Sequence, residues 1–323
     1  MGTLQQIGIG FIQALQTLSP SLDGLMNFFT FLGRIEFYML ILPLIYWTMD
    51  KRLGMRALLI LIFIDITGNA FKFLFHQPRP YWLGGVQKLT EESSYGIPST
   101  HASDSLAVGG YLAYRVKRVW FWIVMVFILF FIGLSRLYLG AHFPHDVLFG
   151  WLIGAVVLWG FMKWDDQAAN WAKLQTLSTQ IGMGFVLSVI IIVIAIFSHS
   201  LIAEIPDPQA WQSFAMEARS ISPFFTLSGT FFGSIAGYAM MRQYARFQTS
   251  GKFGMRVLRY MVGIAGVVLI YIGLDMVFGL ISPDETSLGY ALRYIRYSAI
   301  AFWTTCGAPM VFLKIHLAEV ETR

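Results

Sequence analysis

The stretch VWFWIVMVFILFFIGL, which runs from Val119 to Leu134, contains 16 residues without a charge, and the polar sequence SRLYLGAHFPHD follows it directly. A helix needs roughly 20 mostly apolar residues to cross the hydrocarbon core of a bilayer. This stretch and the similar run from Ile181 to Ser198 therefore predict transmembrane helices. Both runs are continuous and lack an alternation of apolar and polar residues, so membrane-spanning β-strands are not expected.

The composition of the whole chain agrees with this interpretation. Hydrophobic residues make up 56% of the 323 residues and charged residues only 13%, which is too little polar surface for a water-soluble globule of this size. The net charge of +5 comes from basic residues scattered between apolar segments, so no nucleic-acid partner is expected. Cys306 is the only cysteine, which excludes an intramolecular disulfide bond and a multi-cysteine metal site. The first residues carry no basic charge, and we expect no cleaved signal peptide.

The apolar runs between charged breaks predict an all-α, polytopic transmembrane bundle of about nine spans. We place these spans near residues 35–49, 55–75, 99–115, 119–135, 144–163, 180–202, 223–241, 257–282 and 294–315. Residues 4–32 carry apolar side chains at helical spacing, broken at Ser19-Pro20-Ser21, and are predicted to form two amphipathic helices in the membrane interface. We divide the chain into this interfacial region (1–33), a helical core (34–165) that holds the polar motifs described below, and accessory transmembrane helices (166–323).

The charges between the predicted spans indicate their orientation. One set of connections is rich in basic residues: Lys51, Arg52, Arg56, Arg115, Lys117, Arg118, Lys163, Lys173, Arg242, Arg246, Lys252, Arg256 and Lys314. The opposite set is mostly acidic: Glu91, Glu92, Glu204, Asp207, Glu217, Asp284 and Glu285. Because basic connections face the cytoplasm, we expect a cytoplasmic C-terminus. The N-terminus and the polar motifs described next are expected on the periplasmic, extracellular or lumenal side.

The first polar motif combines two cations at the end of a predicted span. Lys72 stands near the end of the second span, and Arg79 follows seven residues later, directly before Pro80. An arginine offers a planar fork and a lysine a point charge, so the two side chains can hold one phosphate together. For a lone lysine at a helix end, extension towards the lipid head groups is the alternative interpretation.

The second motif is Pro98-Ser99-Thr100-His101, in which a turn leads into an apolar helix. The amides of a first helical turn lack partners within the helix and are free to bind an anion. We expect Ser99 and the amide of Thr100 to contact phosphate, with helix capping as the alternative role of the Ser99 hydroxyl. His101 would lie beside the anion, and Asp104, three residues later on the same helical face, would orient it.

The third motif is Ser135-Arg136, followed by His142 and Asp146. Pro144 suits the first turn of a helix, which leaves His142 just ahead of that helix and Asp146 inside its first turn. The Asp146 carboxylate can then accept the Nδ1 hydrogen of His142 and present Nε2 as a nucleophile. The alternative role for Asp146 is to complement the helix dipole.

Further polar residues are assigned supporting roles or none. Asp65 and Asn69 lie one helical turn apart in the second span, near the face of Lys72, and are expected to support the site. His145 is interpreted as a surface or packing residue. The six histidines lie near few carboxylates and do not form a zinc-binding pattern, so we expect no metal and no cofactor, and activity that survives a chelator.

The three motifs, Lys-x6-Arg-Pro, Pro-Ser-x-His and Ser-Arg-x5-His-x3-Asp, resemble the signature motifs of the type 2 phosphatidic acid phosphatase superfamily, which includes lipid phosphate phosphatases and glucose-6-phosphatase. The resemblance covers ten motif positions between residues 72 and 146. It implies that His142 forms a phosphohistidine and that His101 protonates the leaving oxygen. It also implies a phosphate site without metal, formed by Lys72, Arg79, Ser99 and Arg136.

Details of these motifs resemble two branches of the superfamily. Thr100, where many members have glycine, is similar to the sphingosine-phosphate phosphatases. The string Arg79-Pro-Tyr-Trp82 and the predicted nine spans are similar to glucose-6-phosphatase. The leading expectation is a membrane enzyme that hydrolyses a lipid phosphomonoester or a polyprenyl diphosphate. A sugar-phosphate phosphatase and a lipid phosphotransferase using the same site remain alternatives, and a transporter is a third, since Asp275 lies within a predicted span. The oligomeric state is left open.

Overall fold

The structure is a computed structural model that describes residues 2–321. Apart from an isolated β-bridge between Phe247 and Val320, the regular structure of these residues is helical. The α-helices are α1 (Thr3–Gln16), α2 (Asp23–Leu32), α3 (Ile35–Thr48), α4 (Lys51–Phe75), α5 (Thr100–Val116), α6 (Val119–Tyr138), α7 (Pro144–Leu174), α8 (Leu177–Ser200), α9 (Gln212–Ala218), α10 (Ser222–Tyr244), α11 (Phe253–Gly279), α12 (Ser287–Phe302) and α13 (Ala308–Lys314). A 3₁₀ turn forms at Pro80–Trp82, and a π-helical turn at Trp303–Gly307 joins α12 to α13.

A helix lies at each of the nine predicted positions, but the count of nine spans is not confirmed. Within residues 2–321, five segments are long and apolar enough to cross a membrane: Lys51–Trp82, Val119–Tyr138, Pro144–Leu174, Leu177–Ser200 and Phe253–Gly279. A sixth is added if α2 and α3, whose axes differ by 51°, form one broken span. The remaining predicted spans coincide with α5, α10 and the pair α12–α13, which are shorter or carry more small and polar residues.

The described residues form two compact units, each assembled from separate parts of the chain. The first contains the chain up to Tyr38, Phe63–Lys163 and Ile196–Ser220. The second contains Met39–Ile62, Trp164–Ala195 and the chain from Ile221 onwards. Every side chain named in the three polar motifs belongs to the first unit.

Close packing of α5 against α7 positions the second motif in the first unit. Gly150 and Gly154 lie one turn apart on α7, a spacing that allows two membrane helices to approach closely. A Cβ atom on Gly150 would lie 2.5 Å from the Ser99 carbonyl oxygen, and one on Gly154 would lie 2.7 Å from that of Ser103. The Ser99 amide donates a hydrogen bond to the Asp146 carbonyl oxygen at 3.0 Å. The start of α5 and the start of α7 therefore lie side by side.

The turn between α6 and α7 positions the third motif as predicted. Gly140 has a φ of +71°, a backbone conformation that residues other than glycine rarely adopt. A Cβ atom at this position would lie 2.6 Å from the Gln87 carbonyl oxygen. Pro144 then begins α7. His142 accordingly lies just ahead of the helix, and Asp146 lies inside its first turn.

The second unit is held together by polar contacts as well as by apolar packing. Tyr46 and Trp47 on α3 donate hydrogen bonds of 2.8 Å to the carbonyl oxygens of Thr305 and Thr304 in the π-helical turn. Asp275, singled out from the sequence as a charge within a span, forms an ion pair with the buried Arg296 of α12. This partner gives Asp275 a structural role within the unit.

Candidate active site

The buried Arg79 side chain connects two loops of the first unit. Its Nε donates to the Ser94 carbonyl oxygen at 2.5 Å, and its Nη2 donates to Ser94 Oγ at 3.0 Å. Its Nη1 donates to the Ala141 carbonyl oxygen at 3.0 Å and lies 2.9 Å from His142 Nε2. A guanidinium group has only donors, so Nε2 is the acceptor in this contact. The neutral His142 ring therefore carries its proton on Nδ1, and its Nε2 lone pair accepts the hydrogen bond from Arg79.

The Nδ1 side of His142 faces a carboxylate. Nδ1 lies 3.4 Å from Asp146 Oδ2 without a hydrogen bond, and both side chains are buried. Oδ2 is held in place because it accepts the Phe143 amide hydrogen at 2.8 Å. His145 Nε2 lies 3.3 Å from the other oxygen, Oδ1. The carboxylate is thus placed so that a small movement would let it accept a hydrogen bond from Nδ1.

The surroundings of His142 favour its unprotonated form. Burial lowers the pKa of His142 well below its ordinary value, and the nearby cations Arg79, Arg136 and Lys72 lower it further. At neutral pH the ring therefore keeps the lone pair that a nucleophile needs.

Lys72 reaches the same site from the last turn of α4. Its side chain is buried and does not extend towards solvent. Its Nζ donates to Ser94 Oγ at 2.7 Å and lies 3.4 Å from Thr100 Oγ1. Lys72 and Arg79 consequently share the Ser94 hydroxyl, which brings the two cations of the first motif together. Ser94 was not singled out from the sequence, because a serine in a polar loop carries no pattern that distinguishes it.

Arg136 approaches from the end of α6 and is fully buried. Its Nη1 contacts Thr30 Oγ1, and its Nη2 forms an ion pair with Glu92. Its Nε is buried without a partner. Burial alone would raise the pKa of Glu92, but the charges of Arg136 and Arg79 outweigh burial and hold that pKa well below its ordinary range. The contacts of Glu92 in the site were missed, because the sequence shows only one more acidic residue in a connection between predicted spans.

The second motif contributes polar atoms rather than a helix cap. Ser99 occupies the N-cap position of α5, but its hydroxyl makes no cap hydrogen bond, so the capping alternative is wrong. Ser99 Oγ and His101 Nε2 are both buried without a hydrogen-bond partner in the described structure. Buried polar atoms are usually paired, and such atoms beside three cations are suited to an anionic ligand.

The remaining predicted residues cluster beside Lys72. Asn69 donates to the backbone and side-chain oxygens of Asp65 at 2.8 and 3.1 Å. Asp104 accepts from Ser103 Oγ at 3.1 Å. Within residues 2–321 no hydrogen bond or ion pair joins Asp104 to His101, so the expected orienting contact is not formed.

A polar cluster from a distant part of the sequence lies next to the first motif. Asp207 Oδ1 is 2.7 Å from His76 Nε2, and Asp207 Oδ2 accepts from Arg219 Nε at 2.7 Å. The Tyr95 hydroxyl lies 3.4 Å from Asp207. A cavity of about 480 Å³ lies beside this cluster, lined by Gln5, His76, Gln77, Pro78, Leu83, Ile205, Pro206, Pro208, Ala210 and Trp211. None of these interactions was predicted, because nothing in the sequence of residues 196–220 indicates where that segment docks.

Three curated proteins that are similar to this chain are named as phosphatases of phosphorylated lipids or sugars. The chain is 28% identical over 154 residues to lipid phosphate phosphatase delta from Arabidopsis thaliana, covering 42% of this chain and 37% of that protein. It is 32% identical over 159 residues to sphingosine-1-phosphate phosphatase 2 from Homo sapiens, covering 45% and 40%. It is 29% identical over 178 residues to glucose-6-phosphatase 3 from Mus musculus, covering 47% and 51%. The chain thus spans between about a third and a half of the length of these relatives.

Family patterns match two separate parts of the chain. The pattern of the PAP2 superfamily matches residues 53–169, which include all three polar motifs. The pattern described as the transmembrane extension of PAP2 superfamily phosphatases matches residues 225–320. The resemblance inferred from the motifs is therefore confirmed: the chain contains a PAP2 superfamily domain and the transmembrane extension of that superfamily.

Proposed function

We propose that this chain is an integral membrane phosphatase that hydrolyses a lipid phosphomonoester or diphosphate through a phosphohistidine on His142. The observation that carries the proposal is the convergence of the three motifs in one buried site. Arg79 contacts His142 Nε2 at 2.9 Å and shares Ser94 with Lys72. Arg136 supplies a third buried cation, linked to Arg79 through Glu92.

In the first chemical step, Arg79 Nη1 donates to a phosphoryl oxygen instead of to His142 Nε2, and the freed Nε2 lone pair attacks the phosphorus of the bound phosphate. The bond between phosphorus and the leaving oxygen breaks. His101, which takes up a proton together with the phosphate dianion, donates that proton to the leaving oxygen. Lys72, Arg79 and Arg136 stabilise the negative charge on the phosphoryl oxygens. The His142 ring gains a positive charge as it bonds to phosphorus, and Asp146 stabilises it through the Nδ1 hydrogen. Water then attacks the phosphorus, and His101 accepts the proton of that water. The bond between phosphorus and His142 Nε2 breaks, so inorganic phosphate is released and the neutral ring is restored.

We further propose the membrane arrangement that the charge pattern predicts. About nine spans would place the active site and the N-terminus on the non-cytoplasmic face and the C-terminus in the cytoplasm. The N-terminal helix α1 would lie in the interface, because its exposed side includes Leu4, Ile7 and Phe11. Residues 34–165 would form the catalytic core, and residues 166–323 would support it.

Two of the relatives, lipid phosphate phosphatase delta and sphingosine-1-phosphate phosphatase 2, favour a lipid phosphate as the substrate. The third, glucose-6-phosphatase 3, makes a sugar phosphate the alternative substrate. A phosphotransferase would use the same phosphohistidine and deliver the phosphoryl group to an acceptor other than water. The ratio of free phosphate to phosphorylated acceptor, measured with added lipid alcohol, separates the two reactions.

The test is phosphate release by the full chain in detergent micelles containing a chelator. The substrates are phosphatidic acid, sphingosine phosphate, undecaprenyl diphosphate and glucose 6-phosphate. We expect release from at least one lipid substrate and a loss of at least about 10⁴-fold in His142→Ala, because the nucleophile is removed. The matched control is His145→Ala, which removes the neighbouring histidine and should keep most of the activity. Undiminished hydrolysis of every substrate by folded His142→Ala would refute the proposed nucleophile.

A further inference from the structure

Glu92 occupies a central place among the cations of the site. Its carboxylate forms an ion pair with Arg136 Nη2, and its Oε2 lies 3.8 Å from Arg79 Nη2. Its side chain is 17% exposed. The adjacent Glu91 is different, because its side chain is 80% exposed and pairs with Lys88 at 2.6 Å. Two consecutive glutamates therefore have unrelated environments, and only Glu92 faces the proposed phosphate site.

The fold anchors the backbone of Glu92 independently of its side chain. The Tyr81 hydroxyl donates to the Glu92 carbonyl oxygen at 3.0 Å and accepts from the Glu92 amide at 3.2 Å. Tyr81 lies in the 3₁₀ turn that follows Arg79. The carboxylate can therefore leave the arginines by side-chain rotation while the loop remains in place.

A carboxylate and a terminal phosphate compete for the same donors. The carboxylate is a planar array of oxygens and the phosphate a tetrahedral one, and arginine binds either through paired N–H groups. Glu92 already supplies one negative charge to Arg136 and Arg79. A ligand with a single negative charge gains little binding free energy by replacing the Glu92 carboxylate. A phosphate dianion brings a second charge and a third oxygen for Lys72.

We infer that the Glu92 carboxylate occupies the arginine pair in the unliganded protein, and that a phosphate dianion must displace it to bind. This inference rests on the proposed function and assigns Glu92 as a residue that determines specificity for a terminal phosphate over a phosphodiester. The displacement also weakens the binding of inorganic phosphate, which helps the product to leave.

The test measures equilibrium binding of inorganic phosphate and of dimethyl phosphate, a monoanionic diester, to the full chain in micelles at pH 8. Glu92→Gln removes the competing charge and keeps the side-chain size. We expect this variant to bind phosphate at least about tenfold more tightly. Phosphate then displaces a neutral amide from the arginines instead of a carboxylate, and hydrogen bonds between a neutral and a charged group are weaker than those between two charged groups. The ratio of the affinity for phosphate to the affinity for dimethyl phosphate should become smaller. The matched control Glu91→Gln should leave both affinities unchanged.

A second variant keeps the test decisive if Glu92→Gln fails to fold. Glu92→Asp retains the charge but is one methylene shorter and reaches the two arginines less well, so it should also bind phosphate more tightly than the unaltered protein. Phosphate affinity that is unchanged or weaker in every folded Glu92 variant would overturn the inference. The binding assay involves no turnover, so its result is independent of whether His142→Ala abolishes hydrolysis.

Discussion

Replacing Asp146 with asparagine should separate the charge of this residue from its structural contacts. The two side chains have nearly the same shape. The asparagine carbonyl oxygen can keep the position of Oδ2, which accepts the Phe143 amide hydrogen at 2.8 Å and faces His142 Nδ1 at 3.4 Å. The amide nitrogen then takes the place of Oδ1, 3.3 Å from His145 Nε2. The local fold should therefore persist while the negative charge is lost.

The expected loss follows from the distance between the carboxylate and the ring. When His142 bonds to phosphorus, its ring becomes positively charged, and at 3.4 Å an effective dielectric constant of about 20 gives an attraction of about 5 kcal/mol. A neutral hydrogen bond to the asparagine oxygen recovers part of this energy. We therefore expect kcat to fall about 10³-fold, within the range of about 10²- to 10⁴-fold for losing a carboxylate that orients a catalytic histidine.

The assay is phosphate release from an activated aryl phosphate by the purified chain, together with the melting temperature. Asp104→Asn serves as the matched control, because it neutralises another buried carboxylate of the same unit that accepts from Ser103 and has no bond to His142. Its activity should stay within about tenfold of the unaltered protein. Folded Asp146→Asn with nearly full activity, or an equal loss in both variants, would refute the reasoning.

Two further predictions concern the nucleophile and the helix packing behind it. Burial and then Arg79 lower the pKa of His142, so the unprotonated ring should persist as the pH falls. We therefore expect the acid limb of kcat/KM for an aryl phosphate, after correction for substrate ionisation, to lie below pH ~6.5. An acid limb at or above that pH would contradict this prediction. Gly150→Ala places a Cβ atom 2.5 Å from the Ser99 carbonyl oxygen, so we expect kcat to fall about 10- to 100-fold by displacement of the start of α5. Gly182→Ala, where nothing lies within 4 Å of the added atom, is the control for kcat and melting temperature, and equal behaviour of the two variants would argue against the packing role.

The sequence was sufficient for the helical class and for the positions, along the helices, of the residues that we propose as catalytic. Apolar runs locate helices, since membrane-spanning backbone must satisfy its own hydrogen bonds. Pro144 and Gly140 mark the turn that holds His142, because each restricts the backbone locally. Hydropathy alone did not establish the number of spans, since α5 and α10 replace apolar residues with small and polar ones.

Only the tertiary structure identified the partners of the proposed catalytic residues. Ser94, which joins Lys72 to Arg79, and Glu92, which pairs with Arg136, lie in a loop without a recognisable pattern. Asp207 reaches His76 from more than a hundred residues away. The sequence by itself determined which residues we propose to carry the chemistry, because their spacing along helices is a local property. Which charges face one another depends on long-range packing, which no local pattern records.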